Sequence, residues 1–281
     1  MTGKYEILAP AGCLDDVKLM INENADAVYV GLQGFSSRPQ KADFNLKDIE
    51  DATILCHEAN VKLYVAINAN VAQSDMERLE SEISILDQYH VDAIILSEFG
   101  LIAKLQGKLQ YAKIHASTLL GVYNIETVRI LKNLGVSRII FYANLYFDEM
   151  AAIINAVPDL EYELVAEGGT CFNDIRQCKL PHGYEDGERI LFCRKNFELQ
   201  FCDFTSCSAK PISEYPTRTA EIVGLYMAIG ITSFKIEGRT VEGRFRVPMV
   251  RDLISNINQF DKGIPLKSYL HYFSRINREM R

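Results

Sequence analysis

The residues best suited to chemistry are cysteines concentrated in the second half of the chain. Five of the seven cysteines in the 281-residue chain fall within 37 residues: Cys171, Cys178, Cys193, Cys202 and Cys207. Thiolates are soft metal ligands, so four of them converging on one point would suit zinc or an iron–sulfur cluster. Four ligands suffice, so Cys202 and Cys207 compete for the last position.

The cysteine spacing alone leaves alternatives open. It matches neither the C-x2-C pairs of zinc fingers nor the cysteine run of bacterial ferredoxins. The five residues can therefore also be interpreted as buried or spare cysteines without a ligand role. We expect the remaining two, Cys13 and Cys56, to be packing residues of the first two helices.

A second set of reactive side chains lies at the ends of predicted strands. Its members are Glu167, His115 and three residues of the sequence KIEGR at 235–239, namely Lys235, Glu237 and Arg239. Charged groups at consecutive strand ends would meet at one edge of a parallel sheet, where Lys and Arg can bind an anionic substrate. Glu167 or Glu237 can serve there as acid or base. The alternatives are a structural ion-pair network capping the sheet and, for His115 alone, a core histidine.

Eight short apolar runs predict the strands that carry these groups. They are Tyr5–Ala9, Ala27–Gly31, Lys62–Ile67, Asp92–Leu96, Ala112–His115, Arg138–Tyr142, Tyr162–Ala166 and Ser233–Glu237. Near-continuous Val, Ile and Leu is typical of strands covered on both faces. Helical patterns fill the gaps, with Ser74 and Glu77 at capping-box spacing and Asn124 as an N-cap. This alternation predicts an α/β fold, a TIM-type (β/α)8 barrel. An open doubly wound sheet is the competitor, but its glycine-rich first turn is missing.

The spacing of the strands predicts one long insertion. The first seven strands start 20 to 35 residues apart, whereas the last two start 71 apart. We expect a single barrel domain over residues 1–281, with a cysteine-rich insertion between strands 7 and 8 at about 168–215. Barrel enzymes place their chemistry on this side, at the C-terminal ends of the strands.

Composition excludes several classes of function. Thirty Lys and Arg against 37 Asp and Glu give a net charge of −7, so RNA is a less favoured partner. We find no apolar run of about 18 residues and no signal sequence, and we expect a cytoplasmic protein without a membrane span. The motifs of serine hydrolases, zincins and P-loop proteins are missing as well.

Several motifs together carry a resemblance to a known family. They are Glu6–Gly12, Ala25–Gly31, Phe35–Arg38 followed by Asp43–Asn45 in a diverged form, Glu167–Cys171 with Cys178 seven residues on, and Ser233–Arg239. This combination resembles the U-32 peptidase (collagenase-like protease) family over essentially the whole chain. The short iron–sulfur hydroxylase subunits of the ubiquinone pathway are similar in length, and we expect this chain to resemble them rather than the longer members with an additional C-terminal domain.

The resemblance implies a 4Fe–4S cluster with Cys171, Cys178 and Cys193 as ligands. Where a related subunit has a cysteine before the strand-eight motif, this chain has Thr232, and we expect Cys207 to be the fourth ligand instead. It also implies an oxygen-independent hydroxylase, or a subunit of one, whose aromatic acceptor is a quinone precursor of ubiquinone biosynthesis or an RNA base. A carboxylate-bearing oxygen donor, prephenate in related systems, would be oriented by Lys235 and Arg239. A second family member is the expected heterodimer partner. The alternatives are a collagenase-like U-32 peptidase and a non-catalytic, cluster-bearing partner subunit.

Overall fold

The structure, a computed structural model, describes most of the chain. The described residues are 5–37, 42–141, 145–171, 182–185, 188–191, 197–199, 207–209, 214–218 and 222–261. Within these ranges, no helix combines the length and the apolar character that crossing a bilayer requires.

Eight parallel strands close into a barrel, which confirms the predicted TIM-type fold. They are β1 (Glu6–Pro10), β2 (Ala27–Gly31), β3 (Lys62–Ile67), β4 (Ala93–Leu96), β5 (Lys113–Ala116), β6 (Val136–Ile140), β7 (Glu161–Cys171) and β13 (Ser233–Ile236). Each strand pairs with the next in this order, and β13 pairs with β1 to complete the ring. We call the C-terminal end of these strands the mouth of the barrel.

Helices follow the strands on the outside of the barrel. In the described part of the chain they are α1 (Leu14–Asn22), α2 (Leu46–Glu58), α3 (Met76–Gln88), α4 (Phe99–Leu105), α5 (Ile125–Asn133), α6 (Phe147–Ala156), α7 (Val223–Ile229) and α8 (Val247–Asp261). The predicted cap of α5 is confirmed, because the Asn124 side chain accepts a hydrogen bond from the Thr127 amide at 2.9 Å.

The predicted capping box of α3 is wrong. Ser74 lies inside a 3-10 turn over Gln73–Asp75, and α3 begins only at Met76 without a side-chain cap. A capping residue needs an extended backbone, which the helical turn does not provide.

The segment between β7 and β13 contains strands that the sequence pattern did not predict. β7 continues past Ala166 to Cys171 and pairs antiparallel with β12 (Glu214–Arg218). Two hairpin-like pairs lie between them, β8 (His182–Glu185) with β9 (Glu188–Leu191) and β10 (Phe197–Leu199) with β11 (Cys207–Ala209). The antiparallel ribbon of β7 and β12 therefore extends beyond the parallel barrel at its mouth.

Two apolar layers hold the barrel together. Ile7 and Ala9 pack outward beneath the helices, whereas Leu8 between them points into the barrel, as strand alternation requires. The inner cluster is Leu8, Ala27, Tyr29, Tyr64, Ala66, Ala93, Ile95 and Ile140. Its alanines leave room for the rings of Tyr29 and Tyr64, which are long enough to reach polar groups inside the barrel.

Candidate active site at the barrel mouth

Two cations of the KIEGR sequence converge on one aromatic ring inside the barrel. The Lys235 Nζ atom lies 4.1 Å from the centroid of Tyr29, and the Arg239 Cζ atom lies 5.9 Å from it. The Tyr29 hydroxyl donates a hydrogen bond to the Ile236 carbonyl oxygen at 3.1 Å. Ring faces attract cations within about 6 Å, so Tyr29 of β2 holds Lys235 of β13 and Arg239 in the following loop from across the intervening β1.

Arg239 also holds the loop between β2 and α2. Its Nη1 atom donates to Asp43 Oδ1 at 3.0 Å, its Nη2 atom donates to Ser36 Oγ, and the residue is only 5% exposed. Gly31 makes room for this arrangement, because a Cβ atom there would lie 1.8 Å from Arg239 Nη1. The predicted substrate-binding arginine is therefore a buried anchor in this structure.

The two predicted acidic residues lie next to each other at the mouth, Glu167 on β7 and Glu237 directly after β13. The Glu237 amide donates to the Glu167 carbonyl oxygen at 2.8 Å, where β13 leaves β7. Gly168 follows with a φ of +135°, and a Cβ atom there would lie 2.6 Å from the Glu237 Cβ atom. Glycine is required at such a backbone conformation, so it brings the chain of Glu167 close to that of Glu237.

Below the mouth lies a buried cluster of charged and polar groups, the inner network. Its members are Glu6, Tyr64, Arg138, Glu163 and Ser233. The Arg138 Nη1 atom donates to Glu6 at 2.6 Å and to Glu163 at 3.0 Å, and the Tyr64 hydroxyl donates to Glu6 at 2.6 Å. Burial alone would raise the pKa of Glu6, but the charge and hydrogen bond of Arg138 hold that pKa well below its usual range.

Lys235 connects the inner network to the mouth. Its Nζ atom lies 3.7 Å from Glu163 Oε1, and its side chain is 10% exposed. Burial lowers the pKa of Lys235, and Glu163 and Glu237 oppose the shift only in part. An ion-pair network was one of the interpretations of the sequence, and the structure contains one, although it lies inside the barrel rather than across the mouth.

His115 lies beside the inner network. It is 1% exposed on β5 and packs edge-on against Tyr64, with 4.9 Å between the ring centroids. Burial, followed by the charge of Arg138, holds the pKa of His115 well below its ordinary value, so the imidazole is neutral. Its Nδ1 atom has no hydrogen-bond partner among the residues that the structure describes.

The sequence can now be compared with known proteins. The pattern that defines peptidase family U32 matches residues 12–264. The chain belongs to peptidase family U32. One relative is the tRNA hydroxylation protein P of Haemophilus influenzae, which is 30% identical over 203 residues, covering 70% of this chain and 44% of the relative.

Two further relatives carry different names. The 23S rRNA 5-hydroxycytidine C2501 synthase of Escherichia coli is 28% identical over 243 residues, covering 84% of this chain and 36% of the relative. A collagenase of Porphyromonas gingivalis is 24% identical over 255 residues, covering 84% of this chain and 61% of the relative. The U32 chain thus spans less than two thirds of the length of each of these curated relatives.

The cysteines of the U32 chain fall largely in the insertion. Cys171 is the last residue of β7, four positions beyond Glu167, and Cys207 is the first residue of β11. Three predicted ligand candidates lie outside the described residues, namely Cys178, Cys193 and Cys202. Among the residues that are described, no three His, Cys, Asp or Glu side chains are grouped to hold a metal ion.

The two cysteines outside the insertion differ from each other. Cys56 is buried in α2, as predicted, and burial raises the pKa of its thiol to about 12. Cys13 is exposed at the N-cap of α1, so its predicted packing role is wrong. As the N-cap, Cys13 has an extended backbone (φ −159°, ψ 169°), so its side chain does not follow the helical face that buries Val17 and Met20.

Several residues that shape the mouth of the U32 barrel were not predicted as site residues. Asp43, Ser36 and Tyr29 contact Arg239, as described above. The Asp16 carboxylate accepts from the Gly12 amide at 3.2 Å and from the Gly243 amide at 2.9 Å, so it joins the loops after β1 and β13. Tyr29 and Ser36 each belong to a segment that carries the family resemblance, as does Asp43 in diverged form, and this resemblance was the one available signal. The contact between Asp43 and Arg239 was not predictable, because the two residues lie 196 positions apart.

Proposed function

We propose that this U32 chain is the barrel of an enzyme that hydroxylates a base of RNA. The observation that carries the proposal is the pair of relatives named for RNA hydroxylation, one for tRNA and one for 23S rRNA. Their alignments cover 70% and 84% of this chain, far more than a shared motif would. The two names specify different RNA molecules, but both describe the hydroxylation of RNA. This is the activity that we propose for the chain.

A 4Fe–4S cluster is the proposed cofactor of this reaction. Its expected ligands are Cys171, Cys178, Cys193 and Cys207, with Cys202 as the alternative fourth ligand. The chemistry of the donor set supports the proposal, because four thiolates are the usual ligands of such clusters. So does the place of Cys171, which ends a strand that passes the mouth. When bound, the cluster would supply one-electron chemistry that needs no molecular oxygen.

The side chains at the mouth would bind and orient the reactants. We assign Lys235 to the carboxylate of an oxygen donor, since its ammonium lies at ion-pair distance from Glu163 without a short hydrogen bond to it. Glu167 and Glu237 would take up or release the proton that the reaction moves. Arg239 is a positioning residue, because two of its nitrogen atoms already bind Asp43 and Ser36.

The net charge by itself makes RNA a less favoured acceptor, whereas we propose an RNA base as the acceptor. A net charge of −7 disfavours extended contact with phosphates. A base-directed enzyme, however, needs only one nucleotide in its pocket, and it reads that base by stacking and hydrogen bonds. A quinone precursor as acceptor, a heterodimer partner and a cytoplasmic location remain predictions.

A peptidase is the second candidate, and the collagenase among the relatives favours it. The hydrolase motifs that would support it are missing from the sequence. A non-catalytic partner subunit is the third. Cleavage of a collagen-derived peptide by purified protein would favour the peptidase, and activity only after addition of a second U32 chain would favour the subunit.

The function can be tested in an E. coli strain that lacks two relatives of this chain, its tRNA hydroxylation protein P, which is 29% identical over 203 residues, and its 23S rRNA 5-hydroxycytidine C2501 synthase. The chain is expressed during growth without oxygen, and nucleosides from tRNA and rRNA are compared by mass spectrometry. We expect a nucleoside heavier by one oxygen atom, lost in Lys235→Gln and kept in the control Lys104→Gln, which changes an exposed ion pair with Glu80 on the outer helices. An unchanged set of RNA nucleosides would contradict the proposal.

A further inference from the structure

Glu163 lies where the inner network and the mouth meet. It is fully buried on β7, and its two carboxylate oxygens have different surroundings. The Oε2 atom accepts from Arg138 Nη1 at 3.0 Å and from Ser233 Oγ at 3.4 Å. The Oε1 atom has no hydrogen-bond partner among the described residues and lies 3.7 Å from Lys235 Nζ. The Oε2 atom thus belongs to the inner network, and the Oε1 atom faces the Lys235 side chain.

We propose that Glu163 is a positioning residue that holds the ammonium group of Lys235 at the barrel mouth for substrate binding. The inference rests on the proposed function for the role of Lys235, and it adds a residue that neither the motifs nor the strand ends indicated. Its physical basis is the pairing of a buried carboxylate with a buried ammonium, in which each group offsets the desolvation of the other.

The distance between the two groups suits this role. At 3.7 Å the pair is within ion-pair range but longer than a hydrogen bond. Lys235 therefore keeps its N–H donors available for a substrate carboxylate, while the charge of Glu163 and the ring of Tyr29 confine it. The Oε1 atom accepts no hydrogen bond from the described residues, which is costly for a buried carboxylate, and Arg138 offsets this cost by binding the other oxygen.

The charged groups around Lys235 determine in which direction its pKa shifts when the Glu163 charge is removed. Glu163 faces it from β7, Arg138 from β6 and His115 from β5, with the Tyr29 ring from β2. Glu237 and Arg239, which follow β13 in the chain, are the remaining charged groups that act on Lys235. Glu163 and Glu237 raise the pKa of Lys235, whereas burial, Arg239 and Arg138 lower it. Loss of the Glu163 charge must therefore lower the pKa of Lys235 further.

The test compares Glu163→Gln with the matched control Glu161→Gln. Glu161 also binds Arg138, at 2.9 Å to Nε, but it is 41% exposed and its second cation is Lys113, at 3.8 Å, rather than Lys235. Titration of the Lys235 side chain is followed by NMR in protein carrying 13C-labelled lysine, with the signal assigned through Lys235→Gln. We expect the Lys235 titration to move down by about one to three pH units in Glu163→Gln and to stay in place in Glu161→Gln. Equal titrations in both variants would overturn the proposal.

A second variant covers the case in which Glu163→Gln does not fold. Glu163→Asp keeps the charge but withdraws the carboxylate by one methylene, and we expect a smaller downward shift of the Lys235 titration. An unchanged titration in this variant would count against the proposal.

The NMR measurement also separates this inference from the proposed function, because it needs neither cofactor nor substrate. Where RNA hydroxylation is measurable, we expect Glu163→Gln to raise KM for the carboxylate donor by about tenfold or more, with little change in kcat. A lower kcat at constant KM would overturn the positioning role. A shifted titration without any RNA hydroxylation would contradict the proposed function and leave the Glu163–Lys235 link intact.

Discussion

Arg138 of β6 and Glu6 of β1 form an ion pair inside the barrel, with 2.6 Å between Nη1 and Oε1. The two residues are 132 positions apart in the sequence and their strands are not neighbours. Both side chains are buried, and Arg138 also binds Glu163 of β7. A single guanidinium therefore connects three strands from within the barrel, below the residues of the mouth.

Arg138→Met should destabilise the protein strongly. The substitution removes the buried guanidinium that Glu6 and Glu163 share, and it leaves them with the ammonium groups of Lys62 and Lys235. Breaking a buried pair of this kind costs about 3–5 kcal/mol. In urea denaturation we expect a loss of that size in the free energy of unfolding. Glu161→Gln removes a half-exposed partner of the same arginine and should cost less than about 1 kcal/mol. Equal losses in the two variants would show that the buried pairs are not the stabilising ones.

This network explains where sequence-based prediction of the fold was accurate and where it failed. The bounds of β2 and β3 agree with the predicted ones, because both strands are almost entirely apolar. β6 was predicted at Arg138–Tyr142 but runs over Val136–Ile140. A charged residue looks like the edge of a strand in a sequence, whereas here partners on distant strands allow Arg138 to lie buried in mid-strand.

The candidate site was predictable to a similar degree. Strand alternation and the KIEGR sequence were enough to indicate that Lys235 and Glu237 reach the mouth. The ring of Tyr29 and the Asp43 carboxylate were not predictable, since their roles depend on contacts across more than 190 positions. The strands of the insertion were missed because β10 and β11 are only three residues long and too short for a periodic signal.

His115 should make the protein less stable as the pH falls below about 6.5. Its pKa is lowered in the folded state by burial, so the unfolded chain takes up a proton that the folded imidazole does not. The stability conferred by neutral His115 is complete above pH 6.5 and declines by about 1.4 kcal/mol per pH unit below it. His115→Phe keeps a ring against Tyr64 and should lack this slope between pH 6.5 and about pH 5. Parallel pH profiles of unfolding free energy would refute the prediction.

Gly31→Ala should disrupt the anchor of the loop between β2 and α2. The added methyl group would meet Arg239 and Asp43, and we expect a loss of about 1–3 kcal/mol from overpacking. Faster hydrogen exchange of the amides at 32–37 should accompany it. Gly100→Ala serves as the control, because the nearest atom to its new Cβ atom would be 3.6 Å away. We expect this substitution to stabilise α4 by about 0.5–1 kcal/mol. Unchanged exchange in Gly31→Ala would argue against the anchor.

Cys13 and Cys56 should differ sharply in alkylation. Iodoacetamide reacts with thiolates, and burial raises the pKa of Cys56 to about 12. In native protein at pH 8 we expect peptide mass spectrometry to find Cys13 modified within minutes and Cys56 only after unfolding. Modification of both at the same rate would contradict the burial of Cys56.

The iron and sulfide content of the protein purified without oxygen decides whether the thiols of the insertion hold a cluster. We predict about four iron and about four sulfide per chain, both lost in Cys171→Ser or Cys193→Ser and both kept in the control Cys13→Ser. A further comparison of Cys202→Ser with Cys207→Ser should assign the fourth ligand to Cys207. Protein that holds zinc instead of iron, or that keeps its iron without Cys171, would contradict the claim that these thiols form an iron–sulfur site.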